Sequence, residues 1–329
     1  MAFVLTFLLR RLGQGIVIVL LVGFLVFALL RVIPGDPVRI MLGPMTPDDV
    51  VEQMAEELGL RDPLPLQFGR YLVNLSNGDM GHSFIKAKSG ASVAGSRDRV
   101  EGGVENRAEV LDLVLAGLPY TLQLAGLGIL FAFITAIPLG IFAGLNPGGW
   151  TDRLAFLCGT VFVSLPNIWL AIVLILLVST KLQWLPAIGY RGFAYTILPA
   201  IVLAVEMSPP IIRALSVTVA GNMQQSYVPA GLARGLSRRH MIAHHVLRNT
   251  AIPMLNLFGA QLSALLLGSL FVVEYIFDYP GLGLLTINAV FQRDFPVIQG
   301  VAILATATLV VVNILVDLAS AFIDRRLQY

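Results

Sequence analysis

Charged side chains are scarce in this chain, at 13% of residues where soluble proteins carry about a quarter, and the mean hydropathy is +0.81. That scarcity excludes an ordinary water-soluble globule and calls for a membrane. The net charge of only +2 gives no electrostatic case for a nucleic-acid partner. A single cysteine, Cys158 in an apolar run, rules out internal disulfides and cysteine-based metal sites. No Gly-x-x-x-x-Gly-Lys-Ser/Thr occurs, so the chain does not cradle ATP in that way. Of four histidines, His240 and His244 stand four apart with His245 adjacent, but no glutamate or third ligand accompanies them, which favours a solvated helical face over zinc. His82 is read as a solvated loop histidine, and no nucleophile and base pair suggests an enzyme.

What is present is a series of apolar runs. The first, 12–33, follows Arg10 and Arg11 and is too long for a secretory signal core, so it reads as an uncleaved span. Further runs cover 113–145, 154–180, 197–219, 254–273 and 301–322. The 113–145 run exceeds one perpendicular crossing of about 20 residues, which suggests an interfacial stretch and then a helix kinked near Pro138. Segment 34–112 holds 13 of the 20 acidic residues and reads as an external domain. Within it a helix is expected from Pro47 to Leu58, capped by Thr46, and another from Gln67 to Leu75. Residues 85–107, rich in Gly, Ser and mixed charge, read as a flexible insertion.

Arginines set the orientation. Arg10, Arg11, Arg153, Arg234, Arg238, Arg239, Arg248, Arg325 and Arg326 fall on one side, against Lys181, Arg191 and Arg293 in the short loops of the other. Short cytoplasmic loops collect Lys and Arg. The expected fold is therefore an all-α membrane protein of six transmembrane helices with both termini cytoplasmic. Its parts are the first helix (1–33), the external domain (34–112) and a five-helix core (113–329) containing a cytoplasmic loop, 221–252.

Polar residues inside such runs are either packed or line a path. Ser164, Pro166 and Asn167 interrupt the third run and fit a translocation lining or a packed kink equally. Glu206 precedes Ser208-Pro209-Pro210, and Arg213 follows seven positions on, within reach only if the prolines shorten the span. Glu274 and Asp278 precede the Pro280-Gly281-Leu282-Gly283 turn and complete the candidate path.

The stretch from Ser226 to Pro253 has four arginines, three histidines and no acid, and cannot sit in hydrocarbon. Ser226 is a suitable N-cap, Pro229 fits a first helical turn, and Gly235 is the residue type that ends a helix in the left-handed conformation. Ser237 can cap a second helix running towards Pro253. Ala230, Gly231 and Ala233 make the first turn small, as suits a knob entering a groove on another protein.

Tyr227-Val228, Ala233-Arg234-Gly235-Leu236-Ser237, His245-Val246-Leu247-Arg248-Asn249 and Ile252-Pro253 together resemble the cytoplasmic loop of ABC importer permeases, in the dipeptide, oligopeptide and nickel group. Pro34-Gly35-Asp36-Pro37, Gly78-Asp79-Met80-Gly81-His82-Ser83 and Arg293-Asp294-Phe295-Pro296 are similar to its external regions. Pro229 and Gly231 depart from the group, which usually has an arginine and an alanine there. The resemblance implies a non-enzymatic transport subunit in a bacterial inner membrane. Implied partners are a second homologous permease, two ATPase subunits that carry ATP and Mg, and a periplasmic or lipid-anchored substrate-binding protein. Docking on the ATPase is implied for Tyr227, Ala230, Ala233, Arg234, Gly235, Leu236 and Ser237. Peptides lead as substrate, with nickel or other chelates behind. An ion-coupled transporter using Glu206, Glu274 or Asp317 is the reading from another class.

Overall fold

The computed structural model describes residues 2–32, 37–43, 45–57, 59–87 and 107–323. Most of them are helical. Helix α1 is Ala2–Val32, α2 Pro37–Leu42, α3 Asp48–Glu57 and α4 Leu64–Ser76. Strands β1 (His82–Ala87) and β2 (Arg107–Glu109) follow, then α5 (Val110–Leu145), α6 (Trp150–Ser164) and α7 (Asn167–Leu174). Next come α8 (Ala194–Met223), α9 (Tyr227–Ala233), α10 (Arg238–Met241) and α11 (Leu247–Ala264). The chain ends with α12 (Leu270–Ile276), α13 (Leu282–Gln292) and α14 (Phe295–Ile323). Wider π turns at 242–246 and 265–269 join neighbouring helices into longer rods, and one at 175–181 extends α7.

Among the described residues, four helices are long and apolar enough to cross a membrane: the 6–32 part of α1, then α5, α8 and the 295–320 part of α14. The third apolar run is not one rod, because α6 and the helix from Asn167 to Lys181 meet at 96°. The cause is local. Pro166 pushes Leu165 out of the helical region, to φ −89° and ψ 119°, and the chain restarts as α7. Counted as one bent span, this pair makes a fifth apolar crossing.

Two compact units share the chain: 1–120 with 280–310, and 121–279 with 311–329. In the first, α2 and α3 close a small core of Val38, Leu42, Val51 and Ala55. Helix α3 stops in a left-handed turn at Gly59 (φ +64°), where the Leu60 N–H donates to the Ala55 carbonyl. Its start is Asp48, so Thr46 lies two residues outside and Pro47 carries the first turn's carbonyl. Helix α4 begins at Leu64, three residues before Gln67, and its Phe68 meets Phe24 and Phe27 of α1 edge-on.

A short antiparallel ladder pairs β1 with β2, which departs from an all-helical expectation. Its anchor is Asp294, 2% exposed, which accepts hydrogen bonds from the Ser83 hydroxyl and, at 2.9 Å, from the Phe84 N–H. His82 accordingly sits on a strand, opposite Glu109. Residues 33–36, most of the 85–107 insertion and 324–329 lie outside the described residues, so the Pro34-Gly35-Asp36 turn and the last two arginines belong to no account of the fold.

In the second unit α5 packs on α8 through small residues. A Cβ on Gly144 would lie 2.6 Å from the Ser216 carbonyl oxygen and 2.7 Å from Val219 Cβ, and one on Gly140 2.7 Å from Leu215 Cβ. Spaced four apart, Gly140 and Gly144 bring two backbones together where lipid offers no hydrophobic drive. Helix α5 runs unbroken through Pro138, so the interfacial stretch read from its length is simply its first turns. We expect Gly144→Val to lower the thermal stability of the detergent-purified protein by about 1–3 kcal/mol, the usual cost of overpacking. Gly126→Val, which meets open space, should leave the unfolding temperature unchanged in the same melt.

Candidate functional site

Two features of the second unit carry chemistry: a polar knob at the end of α8 and a cavity along its middle. The knob is two short helices around a left-handed glycine. Helix α9 ends at Ala233, the Leu236 N–H donates to the Gly231 carbonyl, and Gly235 has φ +89°. Its N-cap is less regular than Ser226 suggests: that residue is itself helical, φ −56° and ψ −27°, and its hydroxyl caps nothing. Because α8 turns into α9 almost continuously, through helical Gln224, no cap is needed there. Ser237, in contrast, is extended and its hydroxyl accepts from the His240 N–H at 3.3 Å.

Buried Val219, Val228, Met241 and Val246 form the knob's own core, with Leu145, Met223, Tyr227 and Leu247 packed around it. Gly231 is where Met241 enters, since a Cβ there would lie 2.5 Å from its Sδ. The knob is thus tied to the ends of α5 and α8, not hung from them. Outward it shows Ala230, Ala233, Arg234, Gly235 and Ser237, with Leu232 and Leu236 as apolar side chains 43% and 38% exposed. Tyr227 faces the other way and packs against the core. The second helix does not stop near Pro253. It continues as α11, with the Thr250 hydroxyl bonded to the Val246 carbonyl and accepting from Asn222 Nδ2. The His240 and His244 rings stack 4.2 Å apart on its exposed side. Among the described residues no three His, Cys, Asp or Glu side chains gather as a metal site would need.

The cavity, about 920 Å³, lies where α6 breaks and α8 carries its prolines. It brings together Ser164, Pro166, Asn167 and Glu206, four of the six path residues expected from sequence, and adds Asp152, Arg213, Ser216 and Gln261. The Ser164 hydroxyl is used internally, donating to the Thr160 carbonyl at 2.8 Å. Asp152 accepts the Gly148 N–H at 2.9 Å. Glu206 Oε2 is buried without a hydrogen-bond partner, and no ion pair joins it to Arg213. Helix α8 stays helical through Pro209 and Pro210, so the two charges keep their two-turn separation.

Glu274 and Asp278 are not part of this cavity. Glu274 is fully buried in α12, while Asp278 is exposed in a left-handed turn at φ +48°. In the first unit a smaller cavity of about 240 Å³ is rimmed by Arg31, Arg70 and Asp79. Three polar atoms on its lining residues, Gln67 Oε1, the Tyr71 hydroxyl and Gln299 Nε2, are buried without partners. Burial raises the Tyr71 phenol above its ordinary range. No sequence signal singled these residues out.

Residues 136–329 match the model of the binding-protein-dependent transport system inner membrane component, and 4–125 match that of its N-terminal region. The chain belongs to this permease family. Among curated relatives, a probable peptide ABC transporter permease protein (y4tP) of Sinorhizobium fredii is 30% identical, covering 98% of this chain and 99% of that one. The glutathione transport system permease protein GsiC of Escherichia coli is 31% identical over 99% of both. The oligopeptide transport system permease protein AppB of Bacillus subtilis is 29% identical over 98% and 99%. A solved chain of the MetNI methionine ABC transporter, in inward facing conformations, shares the fold with a TM-score of 0.54. It is 17% identical and covers 65% of this chain and 97% of that one.

The knob's packing makes a direct prediction. Met241→Ala removes the side chain that fills the Gly231 notch, so trypsin should cut at Arg234, Arg238 or Arg239 several-fold faster than in the unaltered protein. Cleavage at an unchanged rate would mean the knob's order does not depend on that core.

Proposed function

We propose that this chain is the membrane subunit of an ATP-driven importer of short peptides, with the knob as the part that receives work from a separate ATPase. What carries the proposal is the core of Val219, Val228, Met241 and Val246. It fixes the knob to α8, and α8 lines the cavity, so a push on the knob becomes a movement of the cavity wall. The chain's non-enzymatic role follows from its family, and the ATPase, the second permease and the binding protein are inferred as its partners. ATP and Mg belong to the ATPase subunits.

In this reading the membrane is crossed six times, with both ends in the cytoplasm. The bent α6–α7 pair is the third crossing, and the compound rod from Leu247 to Ile276 is the fifth. Segment 34–112 faces outward and meets the loaded binding protein. Peptide as substrate rests on the peptide, oligopeptide and glutathione permeases to which the chain is similar along almost its whole length. Glutathione is itself a small peptide, so the three names describe one chemical class.

Coupling works only if the ATPase contacts the knob unequally in the two access states. Leu232 and Leu236 offer apolar contact, Arg234 a charge, and Gly235 the turn that presents them. Gly235→Val places a β-branched residue at φ +89°, a conformation such residues avoid. In proteoliposomes with all subunits, this variant should lose most ATP-dependent peptide uptake while basal ATP hydrolysis persists. Uptake and stimulated hydrolysis at unaltered levels would reduce the glycine to a spacer and remove the coupling role from the knob. Uptake driven by an ion gradient with no ATPase present would replace the whole reading by ion-coupled transport.

A further inference from the structure

Glu206 and Arg213 face one cavity from one face of one helix. Seven positions along an α-helix return to nearly the same face, about 20° short of two turns, and advance about 10 Å. Both side chains line the 920 Å³ cavity together with Asn167, Ser216 and Gln261. Arg213 is exposed, and neither charge is neutralised by the other. A carboxylate oxygen held out of water without a hydrogen bond is unfavourable at membrane depth unless something cationic arrives. The other acid of the lining, Asp152, is already engaged by the Gly148 N–H.

Building on the peptide reading above, we infer that Glu206 takes the α-ammonium and Arg213 the C-terminal carboxylate of a zwitterionic peptide lying along α8. The spacing sets the size. An extended chain spans about 3.3–3.6 Å per residue, so about 10 Å is the reach of a tripeptide. The chemistry also suits each end, since an ammonium supplies donors to an acceptor-only carboxylate and a guanidinium can hold a carboxylate with two parallel hydrogen bonds. Between the charges α8 itself presents Pro209, Pro210 and Ile212, whose side chains make no hydrogen bond to the middle of the peptide. The two charges therefore read the termini. The sharp break at Pro166 lies in the wall of the same cavity.

The test uses the complete transporter in proteoliposomes, with a labelled tripeptide and its N-acetylated form, in the unaltered protein, Glu206→Gln and Glu206→Asp. The binding protein is the same throughout, so each variant is compared with the unaltered protein on one peptide at a time. We expect Glu206→Gln to lower uptake of the free tripeptide about tenfold, as loss of one charge-assisted contact would, and to leave the smaller uptake of the acetylated peptide within twofold. Glu206→Asp should restore much of the difference. Arg213→Gln should show the same pattern with the C-terminal amide as the insensitive substrate. Equal losses on free and blocked peptides, or no loss on either, would overturn the assignment, the first pointing to a structural ion pair with another subunit. Failure of the unaltered protein to move any peptide while ATP is hydrolysed would instead remove the peptide reading on which the inference rests.

Discussion

The contact on which this molecule depends is the burial of Met241 against Gly231, within a core that also holds Val219, Val228 and Val246. It joins a segment that cannot enter hydrocarbon to a helix that can. Basic residues keep the knob in water, and four apolar side chains keep it from swinging free. A loop of the same charge without that core would dissipate any force applied to it in its own bending. With the core, the knob is packed onto α8, whose middle carries Glu206 and Arg213 in the cavity wall, and in the proposed coupling displacement passes along that helix. The small residues of α5 add to this packing, because Gly140 and Gly144 let α8 lie close against it.

Chemistry in the membrane part is made possible by one proline. Pro166 removes a donor and forces its predecessor to be extended, and the resulting 96° bend leaves room beside α8. Polar residues near the break are then tolerated by two routes. Ser164 turns its hydroxyl to its own helix, whereas Glu206 Oε2 is buried with no hydrogen-bond partner. Ser164, Pro166 and Asn167 thus form a kink whose residues also line the cavity.

Much was legible beforehand because backbone demands are local. Gly235 and Gly59 end helices in the left-handed region, Ser237 caps, and four of the six apolar runs became single long helices near their expected bounds. What stayed hidden depends on partners distant in sequence. Asp294 reaches back more than two hundred positions to Ser83 and Phe84, so neither the ladder nor its anchor left a periodic trace. Ser226 misled for the opposite reason, since a good capping residue is wasted where the preceding helix scarcely ends. Glu274 and Asp278 looked like partners of Glu206 because all three are acids in greasy surroundings. Burial in α12 and exposure in a turn separate them from the cavity. Helix α13 escaped notice because its Pro-Gly-x-Gly start reads as a tight turn, and that turn is in fact the helix's own entrance.

The central claim is mechanical: a rigid knob on the cytoplasmic side takes work from another subunit. It is tested most directly by placing a single cysteine at Leu236, as Leu236→Cys in a Cys158→Ser background, within the assembled complex. Labelling only from the cytoplasmic face, together with oxidative disulfide trapping to cysteines introduced over the permease-facing surface of an ATPase subunit, in a yield that changes when ATP is bound, is the expected result. Labelling from the outside, or no trapping to any nucleotide-hydrolysing subunit at any stage of the cycle, would contradict the account.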